Sequence, residues 1–368
     1  MKDLMLNKNR QKYWKDIPDS LWQDYKWQLK NSINSLDRLS DFYPGIDLNR
    51  ITDTAQVYPF LITPYFMSLI NFDSENDPVA AQVIPSPKEL IRDDRLLTDP
   101  FCEQNLSPVP GLIKRFPDRA VIVTTDRCAS LCRYCTRKWN WSKKISLSSS
   151  RLASIVNYLQ NHKNIREIII SGGDPFLLNP AFLEEIIGRL LNIPSIDTLR
   201  IGTRMLSFLP YIFTDKITAI LSRYKPIWLM THFNHPAEIT GDTEKAVDAL
   251  VNAGVVLCNQ TVLLNGVNNN PDTMKKLVHK LQKIRIHPYY MFQCDLVEGT
   301  AHFRTGIDEG LNIIKKLQGF TGGLCVPSYV IDLPGGGKIP LIPDYIEEKT
   351  GRYLKIKNYE GKYFRYPL

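Results

Sequence analysis

The sequence predicts an α/β fold of alternating strands and helices, built as a partial (β/α)6 barrel or as an open doubly wound sheet. Three observations predict it. From residue 119 onward, six short β-rich runs alternate with longer helical stretches. Such alternation places parallel strands in one sheet joined by right-handed crossovers, and six units fall short of the eight that close a full barrel. Each strand also runs from apolar residues into a polar, reactive group, and in folds of this kind function gathers at the C-terminal strand ends.

Residues 10–60 are rich in Trp, Tyr, Asp and Lys, and Pro18-Asp19-Ser20 reads as a helix start. Leu21, Trp22, Tyr25, Trp27, Leu29, Ile33 and Leu36 follow at helical spacing and predict an N-terminal helical cap. Pro64 to Ile70 predicts another short helix. Residues 72–111, dense in prolines, acids and turn formers, predict an ordered wrap or linker. Strands are expected at Ala120–Thr124, Glu167–Ser171, Thr198–Gly202, Ile227–Thr231, Val255–Val262 and Tyr289–Gln293. Helices are expected near 148–161, 178–191, 212–224, 243–253, 271–284 and 306–318. Residues 320–368 leave the alternation, and the three glycines before Lys338 predict a flexible loop presenting one amine. The expected division is a cap and wrap over 1–111, the barrel over 112–319 and a C-terminal segment over 320–368.

At 368 residues, with 43% hydrophobic and 23% charged content, the composition is that of an ordinary globular chain. The polar opening residues predict no secretory leader, and no apolar run approaches the length of a membrane span. A cytoplasmic location with reduced thiols is expected. The net charge of +8 is spread along the chain in short pairs such as Lys275-Lys276 and Lys315-Lys316. A solvated surface, or an interior that holds anionic cofactors, accounts for it, and no nucleic-acid partner is expected.

Cys128, Cys132 and Cys135 are spaced C-x3-C-x2-C after the first strand. Three sulfurs at that spacing suit a cubic iron–sulfur cluster and leave one iron open to a ligand. A structural zinc ion or a buried apolar role are the alternatives. Zinc wants four ligands, usually in two close pairs, and Cys102, Cys258, Cys294 and Cys325 are scattered. Seven cysteines, an odd count, fit a disulfide framework poorly. Ser171-Gly172-Gly173-Asp174 ends the second strand; its glycines permit close approach to a ligand or simply make a tight turn.

The cysteine spacing with Gly-Gly-Asp after the second strand resembles the radical S-adenosylmethionine superfamily. Ser107-Pro-Val-Pro-Gly111, Cys135-Thr-Arg137, Thr231-His-Phe-Asn-His-Pro236, Gln293-Cys-Asp295 and Asp332-Leu-Pro-Gly-Gly-Gly-Lys338 extend the likeness to the lysine 2,3-aminomutase family, over residues 10–365. The resemblance implies a radical S-adenosylmethionine barrel core. It implies that Cys128, Cys132 and Cys135 hold a [4Fe–4S] cluster, and that Gly172, Gly173, Asp174, Arg204, His232 and Gln260 hold S-adenosylmethionine. It implies that Lys338 binds pyridoxal 5′-phosphate, with the phosphate on Arg115 and Arg119. Arg137 is expected to take the substrate α-carboxylate, and Asp295 with Asp332 a terminal cation. The implied activity moves the α-amino group of L-lysine to C3, giving β-lysine, through a 5′-deoxyadenosyl radical. Arginine, ornithine or a lysine side chain on a protein such as an elongation factor are the alternative substrates. A non-catalytic or RNA-directed iron–sulfur protein is a further reading, and it leaves Lys338 without a use. An electron donor such as flavodoxin or ferredoxin and a homo-oligomer are expected partners. Three features depart from the lysine-acting pattern: three glycines rather than four before Lys338, Phe116 and Phe292 in place of tyrosine, and Tyr134 in place of histidine.

Overall fold

The computed structural model describes residues 3–43, 47–138, 141 and 144–368. Nine strands form one sheet: β1 (Leu112–Ile113), β2 (Arg119–Val123), β3 (Glu167–Ser171), β4 (Thr198–Gly202), β5 (Trp228–Thr231), β6 (Val256–Leu263), β7 (His287–Gln293), β8 (Ser328–Leu333) and β9 (Gly337–Pro340). Each strand pairs with the next in sequence. Neighbours from β2 through β8 are parallel, while β1 and β9 lie antiparallel at the two edges. A doubly wound sheet reverses its strand order at a switch point. This one never reverses, so the architecture is the partial barrel.

Local chemistry explains the elements. Runs such as Arg-Ala-Val-Ile-Val and Glu-Ile-Ile-Ile-Ser are rich in β-branched residues, with fully buried positions alternating with half-buried ones. The crossover helices begin at side-chain caps. Ser148 accepts the Arg151 N–H, and Asn179 and Asn270 cap helices whose first residue is proline (Pro180–Leu191 and Pro271–Lys283). Each buries one apolar stripe, for example Met274, Leu277, Val278 and Leu281. Among the described residues no helix is long and apolar enough to cross a membrane.

The structure refines or departs from expectation in three places. The N-terminal cap is helical, as the spacing predicts, but in several short pieces. It breaks into Leu4–Tyr13, Asp19–Trp22, Tyr25–Lys30, Leu36–Ser40 and Leu48–Val57. Asp24 and Ser35 each cap a new start, because a short polar side chain competes for backbone N–H groups. Second, the stretch read as leaving the alternation begins by continuing it, since β8 is a seventh parallel strand. Only Ile346–Lys349, Tyr353–Lys357 and Tyr363–Pro367 stand apart, as a small antiparallel sheet. Third, Lys338 does not sit in a flexible loop. It lies on β9 directly opposite Asp332 of β8. Leu333 pairs with Gly337 across a tight hairpin, and Gly335 (φ 71°) and Gly337 (φ 76°) supply the left-handed backbone it needs.

The cap and wrap close over the cysteine loop. Leu131 N–H donates to Leu61 O, and Arg133 N–H donates to Gln82 O. Glu89 of the wrap is fully buried between two cations of that loop. Its carboxylate accepts from Arg133 Nη2 at 2.7 Å and from Lys138 Nζ at 2.5 Å. Arg133 also donates to the Pro59 and Tyr58 carbonyls. Burial pushes the Lys138 amine down to about 8 against the pull of Glu89. Replacing Glu89 with glutamine leaves two buried cations facing a neutral amide. The expected cost is ~3–5 kcal/mol of stability, read by denaturant unfolding, with loss of metal-binding capacity at the loop.

Candidate active site

The cysteine loop leaves the end of β2 and is fixed by the turn after β3. Gly173 N–H donates to Thr125 O at 2.5 Å and Asp174 N–H to Arg127 O at 2.7 Å. A Cβ on Gly172 would stand 2.5 Å from Thr125 O, and one on Gly173 would overlap the Arg127 carbonyl. The two glycines are therefore required by backbone-to-backbone contact with the cysteine loop. The buried Asp174 carboxylate reaches on to β4, accepting from Thr203 Oγ1 at 2.8 Å and from Arg204 N–H at 2.9 Å.

Arg204, also buried, donates through Nη1 to Cys132 Sγ at 2.9 Å and through Nη2 to Glu238 Oε2 at 3.2 Å. Arg137 N–H lies 3.4 Å from Cys135 Sγ. Burial, then the neighbouring Cys135, Asp174 and Cys132, pushes the Cys128 thiol well up; burial pushes Cys135 to about 11. Metal binding must therefore displace protons, and Arg204 and Arg137 are placed to offset the thiolate charge that results.

Next to this loop opens a cavity of about 440 Å³ inside the sheet. Eight of the residues expected to act at the site line it together: Arg115, Arg119, Arg137, His232, Gln260, Asp295, Asp332 and Lys338. Lys338 Nζ is 3.9 Å from Asp332 Oδ2 and lies over the rings of Tyr290 (4.6 Å) and Phe292 (4.4 Å). Burial lowers its pKa from the ordinary 10.5. Arg200 and Arg119 push the same way, while Asp332 and Asp295 oppose them. Asp295 is pushed up to about 7, first by burial and then by the like charge of Asp332.

The remaining expected residues, Cys128, Cys132, Cys135, Gly172, Gly173, Asp174 and Arg204, do not line the cavity. They form the adjoining floor, joined to it through Arg137. His232 bridges the two zones. Its Nε2 lies 2.9 Å from the Tyr134 hydroxyl, and burial with the nearby Arg204 holds the imidazole neutral, its pKa down to about 3.

Sequence reasoning missed Glu103, Glu167, Arg200, Tyr289 and Tyr290, all on the cavity wall. Arg200 pairs with Glu167, and its Nε is buried with no hydrogen-bond partner. The available signal was a charge inside a buried strand. Arg200 sits between Leu199 and Ile201, where a covered parallel strand should be apolar throughout.

The donor sets fit the expected groups. Three thiols on one loop, with N–H donors aimed at the sulfurs of Cys132 and Cys135, suit a cubic cluster. The Gly-Gly-Asp turn spends the N–H groups of Gly173 and Asp174 on the cysteine loop and keeps carbonyls, the acceptors an ammonium needs. Lys338 with Arg115, Arg119 and Arg200 around one cavity suits a phosphorylated aldehyde, and the orphaned Arg200 Nε is a donor without an acceptor. Incubated with pyridoxal 5′-phosphate, the protein is expected to develop an absorption band near ~420 nm that Lys338→Ala abolishes. Because the amine is depressed, the unprotonated form persists to lower pH than in free lysine. The pH midpoint of that capture is expected below 10.5, measured by the same band.

A Radical SAM superfamily profile matches residues 122–281, and a Lysine-2,3-aminomutase profile matches residues 314–368. The L-lysine 2,3-aminomutase of Methanococcus maripaludis is 43% identical over 95% of this chain and 83% of its own length. That of Clostridium subterminale is 41% identical over 97% of this chain and 86% of its own. The glutamate 2,3-aminomutase of Clostridioides difficile is 38% identical over 98% of this chain and 87% of its own. The radical S-adenosylmethionine match implies a [4Fe–4S] cluster and S-adenosylmethionine, for which the cysteine loop and its neighbours have the right donors. Similar over nearly their whole length to named aminomutases, and carrying this two-part site, the chain belongs to the lysine 2,3-aminomutase family of radical S-adenosylmethionine isomerases.

Proposed function

We propose that the chain is a pyridoxal 5′-phosphate-dependent aminomutase acting on L-lysine and moving its α-amino group to C3 to give β-lysine. The observation that carries the reading is the charge pattern of one cavity, with Arg137 beside the cysteine loop and the Asp295/Asp332 pair beside Lys338. When bound, the cluster and S-adenosylmethionine supply a 5′-deoxyadenosyl radical, and pyridoxal 5′-phosphate activates the amino group.

The chain's own residues do the rest. Lys338 anchors the aldehyde. Arg119 and Arg200 meet the phosphate, with Arg115 able to join them by exchanging its 3.1 Å contact with Asp332. Arg137 takes the α-carboxylate with the N–H groups of Nη1 and Nη2. Asp295 and Asp332 accept the ε-ammonium: a single cation between two carboxylates relieves their mutual repulsion. A glutamate side chain would meet that same pair with like charge, which disfavours it. Arginine and ornithine also end in a cation and, with a protein-bound lysine, form the second reading. Flavodoxin or ferredoxin as electron donor, a homo-oligomer and a cytoplasmic location complete the proposal.

The test is direct. The anaerobically reconstituted protein, reduced and given S-adenosylmethionine, is incubated separately with lysine, arginine, ornithine and glutamate, and products are resolved by mass and chromatography. A β-isomer of lysine alone is expected; no β-isomer from any of the four overturns the reading. A second expectation concerns pH. Asp295 must be ionised to hold an ammonium and is protonated below its raised pKa of about 7. Lysine affinity should therefore weaken by about tenfold per pH unit as pH falls below that value. Asp295→Asn should flatten that dependence in a spectral titration of the cofactor-loaded protein.

A further inference from the structure

One carboxylate in the cavity has no part in the reading above. Glu103, half-buried on the wrap, meets Arg137 with both oxygens: Nε donates to Oε2 at 2.9 Å and Nη2 to Oε1 at 2.6 Å. The segment that carries it is pinned. Leu97 N–H donates to Leu296 O and Glu298 N–H to Leu97 O, on the loop that follows β7 and holds Asp295. Further on, Leu106 N–H donates to Cys102 O and Lys114 N–H to Leu106 O, so Glu103 stands on an ordered turn.

A guanidinium is a rigid plane with five N–H groups and two edges able to grip a carboxylate in bidentate fashion. Glu103 takes the Nε/Nη2 edge. The Nη1/Nη2 edge keeps only long contacts from Nη1, to Ser171 Oγ at 3.4 Å and to Gly172 O at 3.5 Å. Glu103 is thus placed to orient Arg137 without occupying the edge that another carboxylate would use. Arg137 is tied to the cysteine loop by its own backbone, so the tilt of its plane sets where a gripped carboxylate lies relative to the cluster.

We propose that Glu103 is a positioning residue for the amino-acid substrate: it locks the Arg137 guanidinium so that its outer edge grips the α-carboxylate. The proposal rests on the aminomutase reading above. A bland alternative is that Glu103 only neutralises a half-buried cation. The two differ in what they predict for a ligand that lacks a carboxylate.

Four cofactor-loaded proteins test it: wild type, Glu103→Gln, Arg137→Gln and the double variant. L-lysine binding is read from the cofactor spectrum without S-adenosylmethionine, and turnover is read separately. Glu103→Gln is expected to raise the Kd and KM for lysine about ten- to a hundredfold, with a smaller change in kcat. Added to Arg137→Gln, it should cost almost nothing more, because one group acts through the other. L-lysinamide, which has no carboxylate, should bind wild type and Glu103→Gln alike. Equal losses in both backgrounds, an equal loss for lysinamide, or tighter lysine binding by Glu103→Gln each overturns the proposal. If Glu103→Gln loses its cluster or cofactor band, Glu103→Asp decides. That variant keeps the charge and shortens the reach by one methylene, and an unchanged KM for lysine there also overturns it. A wild type that makes no β-isomer at all sinks the aminomutase reading itself. An active wild type with an unaffected Glu103→Gln sinks only the role of Glu103.

Discussion

The site depends on one buried carboxylate. Glu89 holds Arg133 and Lys138, the residues that bracket the last part of the cysteine loop, and all three side chains are essentially inaccessible to water. Burying such a set is costly, and an apolar replacement of the same shape often does as well for stability alone. What the charges add is geometry. Arg133 can satisfy its five N–H groups only where Glu89, Pro59 and Tyr58 converge, which fixes the backbone between Cys132 and Cys135. The wrap is therefore part of the metal-binding device and not a cover laid over it.

A second chain of bonds does the same from the barrel side. Backbone contacts join the β3 turn to the start of the cysteine loop, the Asp174 carboxylate joins that turn to β4, and Arg204 returns from β4 to the Cys132 sulfur. Each link is short in space and long in sequence. The Gly-Gly-Asp signature follows from this circuit: any side chain at Gly173 would collide with the Arg127 carbonyl, whatever ligand is bound.

Legibility in the sequence tracked the range of the interaction. The six strands from β2 to β7 were readable because β-branched runs and capped helices are local signals, and the positions of observed strands agree within a few residues. β8 was missed because no helix follows it. The hairpin that carries Lys338 was misread because glycines report backbone freedom, not the ladder that removes it; the pairing of Asp332 with Lys338 is visible only in the register. The helical character of the cap was legible from its apolar spacing, but its breaks at Asp24 and Ser35 were not, nor was the burial of Gln28, which donates to Trp22 O and accepts from Tyr65 N–H. The sequence singled out the three cysteines and Lys338, and with them Arg137, Arg204 and Asp332, which the structure places beside them. The carboxylates that pair with Arg137 and Arg200 it did not single out. Glu103 lies 34 residues from Arg137, and Glu167 lies 33 from Arg200, with nothing local to mark either pair.

These pairs also decide how the cavity selects a ligand. Arg137 has Glu103, Arg200 has Glu167, Arg115 has Asp332, and Lys338 stands near Asp332. Most charges are already matched, so an ionic ligand enters by exchange and gains only the difference between old and new partners. Asp295 is the exception. Among the described residues its carboxylate takes no hydrogen bond, and it sits half-buried beside a second carboxylate. Beside the orphaned Arg200 Nε and the open edge of Arg137, that leaves the cavity a demand of the opposite sign, for a cation at the Asp295 end. A ligand that also brings a carboxylate for the free edge of Arg137 satisfies both without stripping either aspartate or arginine of charge. An anion at the Asp295 end would add a third like charge to a site where burial and the charge of Asp332 already disfavour ionised Asp295.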